Sequence, residues 1–468
     1  MVEPRDVVVI GGGFAGLAAG VALAERGFRV ALLEGKPALG GRAYSFVDSQ
    51  SGDTVDNGQH VLMGCYGETL DFLERIGTRD RLFFHRNLDI LMLERGGARA
   101  QLRTAPLPGP FHMGAALLRY RLLAPSERLG VMMAGIRMLS MRRRDRPALE
   151  QLTVAALLTM LRQGARARRC FWHPLAIATL NENPELASAA LLAEVVSRTM
   201  FSRRFDSAFG YAQVGLSELY CTAAASFIER HGGLVARHAL VERIELDAQG
   251  TVARVRLRDG RALGAANFVA AVPPDKLLRL LPERVAEDPA FARLAGIGTS
   301  PIICVHLWLD REVIQSPFAG FIGTTTQWLF NKRRILQDGG GQRQGYLSFV
   351  ISGARKLVDS PADELIKLVT EDLHAVLPSA RASRILNALA VKEKQATIAP
   401  DPGSGRLRPP VQTPLDNFFL AGDWIATGLP ATIESAVIAG RAAAEAVARR
   451  VGQASGERLE PEAAVGAA

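Results

Sequence analysis

The sequence predicts an α/β protein, and three segments carry that prediction. Residues 5–34, "RDVVVIGGGFAGLAAGVALAERGFRVALLE", follow the order strand, glycine turn, helix, strand. Residues 231–274 alternate strand-like segments with glycine turns. A second strand-to-helix loop, "FFLAGDWIATGLPATIES", occurs at 418–435. Because 468 residues exceed the usual size of a single hydrophobic core, we expect two domains.

The composition is that of a globular protein, with 48% hydrophobic residues. Its four cysteines are far apart and form no CxxC pair, which argues against a zinc site, a redox motif or a disulfide scaffold. The net charge of +9 fits an anionic membrane or simply an arginine-rich proteome. A nucleic acid is the weakest choice of partner, because no recognised binding module is present.

The N-terminal apolar run is interpreted as a strand. "VVVIGGG" breaks at glycines after a few residues and no basic region precedes it, so we expect no signal peptide. No window of about 18 uninterrupted apolar residues occurs, so we expect no transmembrane helix, while attachment to a membrane surface stays open.

The first glycine turn has the GxGxxG spacing of a dinucleotide-binding loop. Gly11 permits a tight turn, Gly13 lets a pyrophosphate approach the backbone, and Gly16 lets the helix pack closely. Phe14 and Ala15 open the helix. The helix N-terminus offers free N–H groups and the positive end of its dipole to phosphates.

Glu34 closes the second strand, where a carboxylate binds an adenosine ribose and repels a 2'-phosphate, so NADP is disfavoured. Gly40 and Gly41 follow and can place N–H groups beside a cofactor, and Arg42 can neutralise a phosphate. An ordinary surface turn is the alternative for these three residues. This unit alone leaves the choice between NAD and FAD open.

The late loop favours FAD. Gly422 and Asp423 follow the strand-like "FFLA", and the next helix is predicted to open at Pro430. A second helix N-terminus would direct its dipole at another electron-rich part of the ligand. FAD is long enough to need both loops.

These motifs in combination resemble the flavin-dependent amine oxidase and phytoene desaturase superfamily. The resemblance implies that Asp423 binds the ribitol or pyrophosphate of FAD and that Val241 lies beside the adenine. It also implies that the late helix faces the flavin ring, with Ala431, Thr432 and Ile433 at its start.

The middle of the chain resembles one branch of that superfamily, the hydroxysqualene dehydroxylases of hopanoid biosynthesis. The segments that carry this likeness are "VDNGQHVLMGCY" (55–66), "FWHPLAIATLNENPELASAALL" (171–192), "TQWLFNK" (326–332) and "AGDWIATGLPATIESAV" (421–437). The resemblance implies that reduced flavin converts hydroxysqualene to squalene, and it suggests upstream isoprenoid synthases as partners.

The resemblance also implies a division into two domains. A Rossmann-type FAD-binding domain would comprise 1–70, 206–277 and 396–450. An α+β substrate-binding domain would comprise 71–205, which reads as helical, and 278–395, which mixes strands with a helix. Residues 451–468 are small and polar enough to form a disordered tail.

Residues 113–146 combine leucine and methionine with Arg119, Arg121, Arg137 and Arg142 to Arg144. Such a stretch suits helices lying on anionic lipid, and the alternative is a pair of core helices with a solvated basic end. We therefore expect a cytoplasmic protein attached peripherally to the inner face of the cell membrane.

The implied reaction needs an acid in an apolar pocket beside the flavin. We hypothesise acid-assisted loss of the allylic hydroxyl with hydride transfer from flavin N5. The candidate acids are His60, Asp56, His173 and Glu434, and each histidine is as readily a packing or orienting residue.

Tryptophans are candidates for the wall of a substrate tunnel. Trp172, Trp328 and Trp424 could stabilise an allylic cation through their ring faces, or could simply be core residues. No metal-spaced cluster and no Ser-His-Asp arrangement appears, so metalloenzymes and hydrolases find no support.

Three other functions stay open. A carotenoid-type or phytoene-type desaturase shares both end motifs. An amine oxidase would need an aromatic cage, which 6% aromatic residues do not favour. A flavin-bearing scaffold protein without turnover is the third.

Overall fold

The computed structural model describes residues 5–337 and 345–455. Within these residues seven strands form one sheet: β1 (Arg5–Ile10), β2 (Val30–Leu33), β10 (Leu234–Ala236), β11 (Val241–Leu246), β12 (Val252–Leu257), β13 (Ala262–Ala270) and β19 (Phe418–Leu420). The order is β10-β2-β1-β13-β12-β11, with β19 paired to β13. Three distant parts of the chain therefore share this first sheet, and the predicted α/β class is confirmed.

The first sheet is covered on both faces. Val7 and Val9 pack in one core with α1 (Phe14–Glu25), α10 (Thr222–Arg230) and α16 (Ile433–Ser455). Val8 and Ile10 pack in a second core with α11 (Pro274–Leu280). A parallel strand covered on both faces needs a continuous apolar run, which explains the sequence "VVVI".

A second sheet of seven strands lies in the same described part of the chain: β7 (Asp89–Glu94), β8 (Arg99–Arg103), β14 (Thr299–Leu309), β15 (Phe318–Ile322), β16 (Trp328–Asn331), β17 (Gly345–Ser352) and β18 (Ile385–Ile398). The order is β18-β14-β17-β16-β15-β7-β8. Helix α15 (Ala362–Val376) packs on one face of this sheet.

The helical prediction for 71–205 is wrong for β7 and β8. These two strands pair in antiparallel fashion across a turn in which Gly96 and Gly97 both adopt positive φ angles of 93° and 90°. Glycine tolerates that conformation, so the turn permits a tight hairpin. Strand β7 then pairs with β15, which ties this early hairpin to the second sheet.

The remaining strands form two small sheets: β3 (Ser45–Val47) with β4 (Thr54–Asp56), and β5 (Val61–Met63) with β9 (Phe209–Ala212) and β6 (Leu82–Phe84). The remaining helices are α2 (Gly67–Arg75), α3 (Phe111–Arg119), α4 (Pro125–Arg144), α5 (Arg146–Gln151), α6 (Val154–Met160), α7 (Ala165–Ala167), α8 (His173–Leu180), α9 (Ala189–Met200), α12 (Glu283–Ala286), α13 (Pro289–Ala292) and α14 (Lys332–Ile335).

In the described ranges, no helix has both the length and the apolar character that crossing a bilayer requires.

Both predicted ends of the last helix differ from the structure. Helix α16 begins at Ile433 and not at Pro430, because the Thr432 hydroxyl accepts a hydrogen bond from the Ser435 N–H (3.1 Å) and so caps the helix. The helix continues to Ser455, past the predicted start of the tail at 451. Residues 456–468 lie outside the described residues.

Helix α16 can lie close to α1 because Gly440 has no side chain. A Cβ atom at Gly440 would lie 2.3 Å from the Ala15 carbonyl oxygen. The two ends of the chain thus meet at a helix contact that only glycine permits.

We expect Gly440→Ala to lower the free energy of unfolding by about 1–3 kcal/mol, because backbone must move to admit the methyl group. The measurement is the thermal or urea unfolding midpoint. Gly405→Ala is the matched control, since a Cβ there meets no atom within 4 Å. Equal stability of the two variants would contradict this account of the helix contact.

Candidate active site

The first glycine loop joins β1 to α1. The Gly11 N–H donates to the Leu33 carbonyl (2.8 Å), and Gly13 is the N-cap residue of α1. A Cβ at Gly16 would lie 1.9 Å from the Gly11 carbonyl oxygen, so the loop can close only with glycine there. No side chain from the described residues caps the helix, which leaves its first N–H groups for an anion.

The side chains of Phe14 and Ala15 are buried in the core of the first sheet. The Phe14 ring stacks on Tyr220 with centroids 3.6 Å apart, and Ala15 is buried against α16. Their contribution to a cofactor is therefore through backbone N–H groups.

The second glycine turn lies directly on the first. The Gly40 N–H donates to the Gly12 carbonyl (2.8 Å). Gly41 has a φ of 60°, and a Cβ there would lie 3.2 Å from the Gly13 Cα. The surface-turn alternative for these residues is not what the structure shows, because the turn is part of the loop assembly.

Glu34 stands at the other side of the first loop. One carboxylate oxygen accepts from the Gly12 N–H and the other from the Lys36 N–H, both at 2.8 Å. The Ala239 N–H donates to the Glu34 carbonyl (2.8 Å), and Val241 begins β11 two residues later. Glu34 and the start of β11 thus lie on the same side of the loop.

The late loop reaches this assembly through an ion pair. Arg42 donates to Asp423 at 2.5 Å across 381 residues of sequence. Arg408, which is buried, donates to the Asp423 carbonyl (2.6 Å) and to the Leu429 carbonyl. Burial lowers the pKa of Arg408 to about 10, so the side chain stays a cation at neutral pH.

These contacts form one continuous line. It runs from Glu34 to Gly12, from Gly12 and Gly13 to the second glycine turn, and from Arg42 to Asp423. This arrangement suits a long dinucleotide. It offers a carboxylate to a ribose, free helix N–H groups to a pyrophosphate, and a late loop beyond them. The residues present therefore fit FAD.

A large cavity lies between the second sheet, helices α3, α8 and α9, and the late loop. It has about 1150 Å³ of empty space, including its opening to solvent. Most of its wall is apolar, including Met63, Ile90, Met92, Leu102, Phe171 and Phe209. Leu429, Pro430 and Thr432 of the late loop also line it, so the cavity adjoins the line of cofactor residues.

Glu434 is the one candidate acid of the four whose side chain lines this cavity in the part of the chain described. Its carboxylate accepts from the Glu68 N–H (3.1 Å), the Thr69 N–H (2.9 Å) and the Thr69 hydroxyl (2.6 Å). Burial raises the pKa of Glu434 and outweighs these hydrogen bonds, which favour the charged form. The same bonds anchor α16 to the first turn of α2.

Asp56 does not suit the role of an acid. Lys332, which is 1% exposed, donates to it at 2.8 Å, and the Leu216 N–H and Ser45 hydroxyl add hydrogen bonds. Burial raises the pKa of Asp56, but Lys332 and these bonds outweigh it, so the pKa is lowered. Asp56 is a buried carboxylate that holds an ammonium group.

The two histidines lie outside the cavity wall. His60 Nδ1 donates to the Gly58 carbonyl (2.8 Å), and burial lowers the pKa of His60. Burial and the charge of Arg168 lower the pKa of His173. Both rings are therefore neutral at physiological pH, with no contact to the cavity.

Of the three tryptophans predicted to line a tunnel, Trp328 lines the cavity and the other two do not. Trp172 is fully buried and donates to Gln163 (2.8 Å), so the tunnel prediction is wrong for it. It is also wrong for Trp424, which donates to the Val272 carbonyl (3.1 Å). Trp424 folds under its own loop, in space that Gly422 leaves: a Cβ at Gly422 would lie 2.3 Å from the indole nitrogen.

Three residues of the site were not predicted from the sequence. Lys332 closes the segment "TQWLFNK", where a single lysine after an apolar run was the available signal. Arg408 and Tyr66 gave no signal, since one lies in a loop and the other ends an apolar segment. Tyr66 lines the cavity and interacts with the Thr432 side chain, and burial raises its pKa, so its hydroxyl keeps its proton.

Comparison with known families decides the identity of this site. Residues 14–448 match the family described as flavin containing amine oxidoreductase. The chain belongs to this family. The prediction of FAD as cofactor is thereby confirmed, and the line of residues from Glu34 to Asp423 would hold it. When bound, FAD supplies two-electron chemistry to the flavin oxidoreductase.

Two relatives of this flavin oxidoreductase carry names of different reactions. It is 28% identical over 456 residues to a hydroxysqualene dehydroxylase of Sinorhizobium fredii, covering 94% of this chain and 98% of that one. It is 27% identical over 463 residues to a 15-cis-phytoene desaturase of an Oncidium hybrid cultivar, covering 95% and 78%.

Solved structures establish the fold of the flavin oxidoreductase. Cyclohexylamine oxidase from Brevibacterium oxydans matches with a TM-score of 0.71 at 19% identity, covering 96% of this chain and all of that one. At this identity the likeness concerns the fold alone.

We expect Asp423→Ala to deplete the purified flavin oxidoreductase of FAD, because Arg42 loses the partner that joins the two loops. The measurement is the ratio of flavin to protein absorbance after purification, followed by titration with FAD. Asp416→Ala is the control, since Asp416 pairs with Arg450 on the surface seven residues earlier. If the Asp423→Ala variant retained its full content of FAD, the Arg42–Asp423 pair would not be needed for FAD binding.

We expect Lys332→Met to destabilise the protein by about 3–5 kcal/mol, because it leaves the buried Asp56 carboxylate unpaired. The double variant Lys332→Met/Asp56→Leu should be more stable than Lys332→Met, since it removes both charges. Lys394→Met, which breaks an exposed pair with Asp359, should cost about 1 kcal/mol or less. Unfolding midpoints measure all three, and additive losses in the double variant would contradict the pairing.

Proposed function

We propose that the flavin oxidoreductase reduces hydroxysqualene to squalene. The observation that carries the proposal is the mostly apolar wall of the cavity, which includes residues of the late loop of the cofactor site. An apolar cavity beside the cofactor residues suits a hydrocarbon substrate, and a bound hydrocarbon would keep water from the reacting atoms.

Glu194 and Arg198 of the cavity wall are paired with one another, and this pairing favours an uncharged substrate. Glu194 accepts from Arg198 (2.7 Å) and from Arg142 (2.6 Å). Burial raises the pKa of Glu194, but the two arginines outweigh it and the pKa is lowered. A substrate ammonium group would have to enter a mostly apolar space in which Glu194 already pairs with two arginines, at a high cost in solvation. An isoprenoid lipid meets no such cost.

The similarity to hydroxysqualene dehydroxylases of Sinorhizobium fredii and Zymomonas mobilis supports the choice of substrate, at 28% and 26% identity. The similarity to phytoene desaturases is of the same degree, and a polyene suits the same cavity. Desaturation of a polyene is therefore the second candidate reaction.

The proposed reaction breaks the carbon–oxygen bond of the allylic alcohol. The oxygen gains a proton and leaves as water, and the carbon gains a hydride, which the bound reduced flavin supplies. A two-electron donor from outside the protein must then restore the reduced flavin.

Tyr66, before α2, and two residues at the start of α16 have the chemistry to protonate the leaving oxygen. Tyr66 keeps its proton and can donate a hydrogen bond to the substrate hydroxyl, with Thr432 beside it. Glu434 is the ionisable carboxyl of this part of the wall, and burial raises its pKa. A carboxyl with a raised pKa is better able to hold a proton for transfer near neutral pH.

The test is a single turnover without oxygen. The flavoprotein is reduced and mixed with hydroxysqualene, flavin reoxidation is followed by absorbance, and the lipids are extracted for mass spectrometry. We expect squalene in proportion to the flavin oxidised. Free reduced FAD with heat-unfolded protein is the control for uncatalysed reduction.

Recovered hydroxysqualene with the flavin still reduced would refute the dehydroxylase proposal. The oxidised enzyme would then be mixed with phytoene under the same conditions. Flavin reduction together with a more unsaturated product would establish the desaturase reaction in its place.

A further inference from the structure

Helices α3 and α4 carry large apolar side chains on the outside of the protein. Phe111 is 66% exposed, and Leu118 and Leu129 are each 58% exposed. Met133 and Ile136 of α4 are exposed as well, and so is Leu107 in the loop before α3. These six residues are called the α3–α4 surface below. Large exposed apolar side chains on two helices in contact indicate an interaction site.

The exposure follows the helix period and is not a frayed end. Leu129, Met133 and Ile136 recur at intervals of four and three residues, which places them on one face of α4. The opposite face carries Val131 and Met138, which are buried in the core. The inner face of α4 is apolar because it packs in the core. The outer face is also apolar, although it packs on no core residues that the structure describes.

The two helices belong to one structural unit. Arg128 of α4 donates to the Leu118 carbonyl at the end of α3 (2.7 Å). The inner side of α3 supplies Met113 to the cavity wall. A single helix therefore separates the outer apolar residues from the cavity.

Basic residues adjoin the α3–α4 surface. Arg119 and Arg121 follow Leu118, and Arg137, Arg143 and Arg144 continue the outer face of α4. All five are exposed, and no ion pair links them to another residue in the described ranges. Arg142 differs from the expectation that it meets lipid headgroups, because it is paired with Glu194 beneath the helix.

We infer that the α3–α4 surface docks on an anionic lipid bilayer, with its apolar side chains in the headgroup and acyl boundary and the five arginines on lipid phosphates. The match is one of charge and shape: an apolar helix face flanked by unpaired guanidinium groups fits an anionic interface. This inference does not rest on the reaction proposed above, since it concerns binding without turnover.

The test uses the full FAD-loaded protein and sedimentation with vesicles, in the absence of substrate. Vesicles of phosphatidylcholine alone are compared with vesicles that also contain phosphatidylglycerol. We expect binding to the anionic vesicles, and an approximately tenfold loss in the variant Phe111→Ser/Leu118→Ser/Met133→Ser. The matched control is Val47→Ser/Ile385→Ser/Leu386→Ser, which removes three exposed apolar side chains elsewhere and should bind as the unaltered protein does.

A charge variant separates the two contributions. Arg143→Glu/Arg144→Glu should weaken binding to anionic vesicles and leave the residual binding to neutral vesicles unchanged. Retained flavin absorbance shows that each variant is folded. Equal binding by the surface variant and its control would overturn the inference. A dimer in sedimentation velocity that the surface variant dissociates would also overturn it, because a second copy of the chain would then cover the surface.

Discussion

The cofactor site depends on one contact between distant parts of the chain, the ion pair of Arg42 with Asp423. The first glycine loop provides a helix N-terminus for an anion, and the late loop provides part of the cavity wall. Neither part is a complete site. The pair joins them across 381 residues, and the α1–α16 contact at Gly440 holds the same two segments together behind it.

The second sheet is fixed to this site by a buried charge. Lys332 begins α14 directly after β16, and its ammonium group reaches Asp56 in the segment that leads from the cofactor loops to α2. Trp328, at the start of the same strand, lines the cavity. A wall residue therefore begins this short strand, and the residue that sets the position of the wall directly follows the strand. A buried ion pair with this geometry tolerates little movement, because displacement would leave two charges unsolvated.

The residues of the cofactor site could be predicted from the sequence more accurately than the residues of the cavity wall. The glycine loop, Glu34 and the late loop have fixed spacings set by local turn geometry, and the structure brings them into one line. The prediction of a tunnel wall was wrong for Trp172 and Trp424. Their burial and hydrogen bonds depend on the folded structure and cannot be read from the sequence. Lys332 was not predicted because its partner Asp56 lies 276 residues earlier in the sequence. Arg408 was not predicted because it lies in a loop without a recognisable motif, although its partners lie in the late loop. The β7–β8 hairpin was hidden in a region whose neighbours are helical.

The long stretch of sequence between α1 and its neighbours β19 and α16 has a consequence for synthesis. The first sheet lacks β19, which pairs with β13, and α1 lacks the covering helix α16, until residues 418–455 have left the ribosome. Until then the apolar surface of the early segments stays uncovered. The strands of the two sheets also alternate along the sequence, so each sheet needs segments that are made at different times. Neither sheet can therefore be completed until late in synthesis. During synthesis the exposed apolar surface is largest, and a chaperone has the most surface to protect.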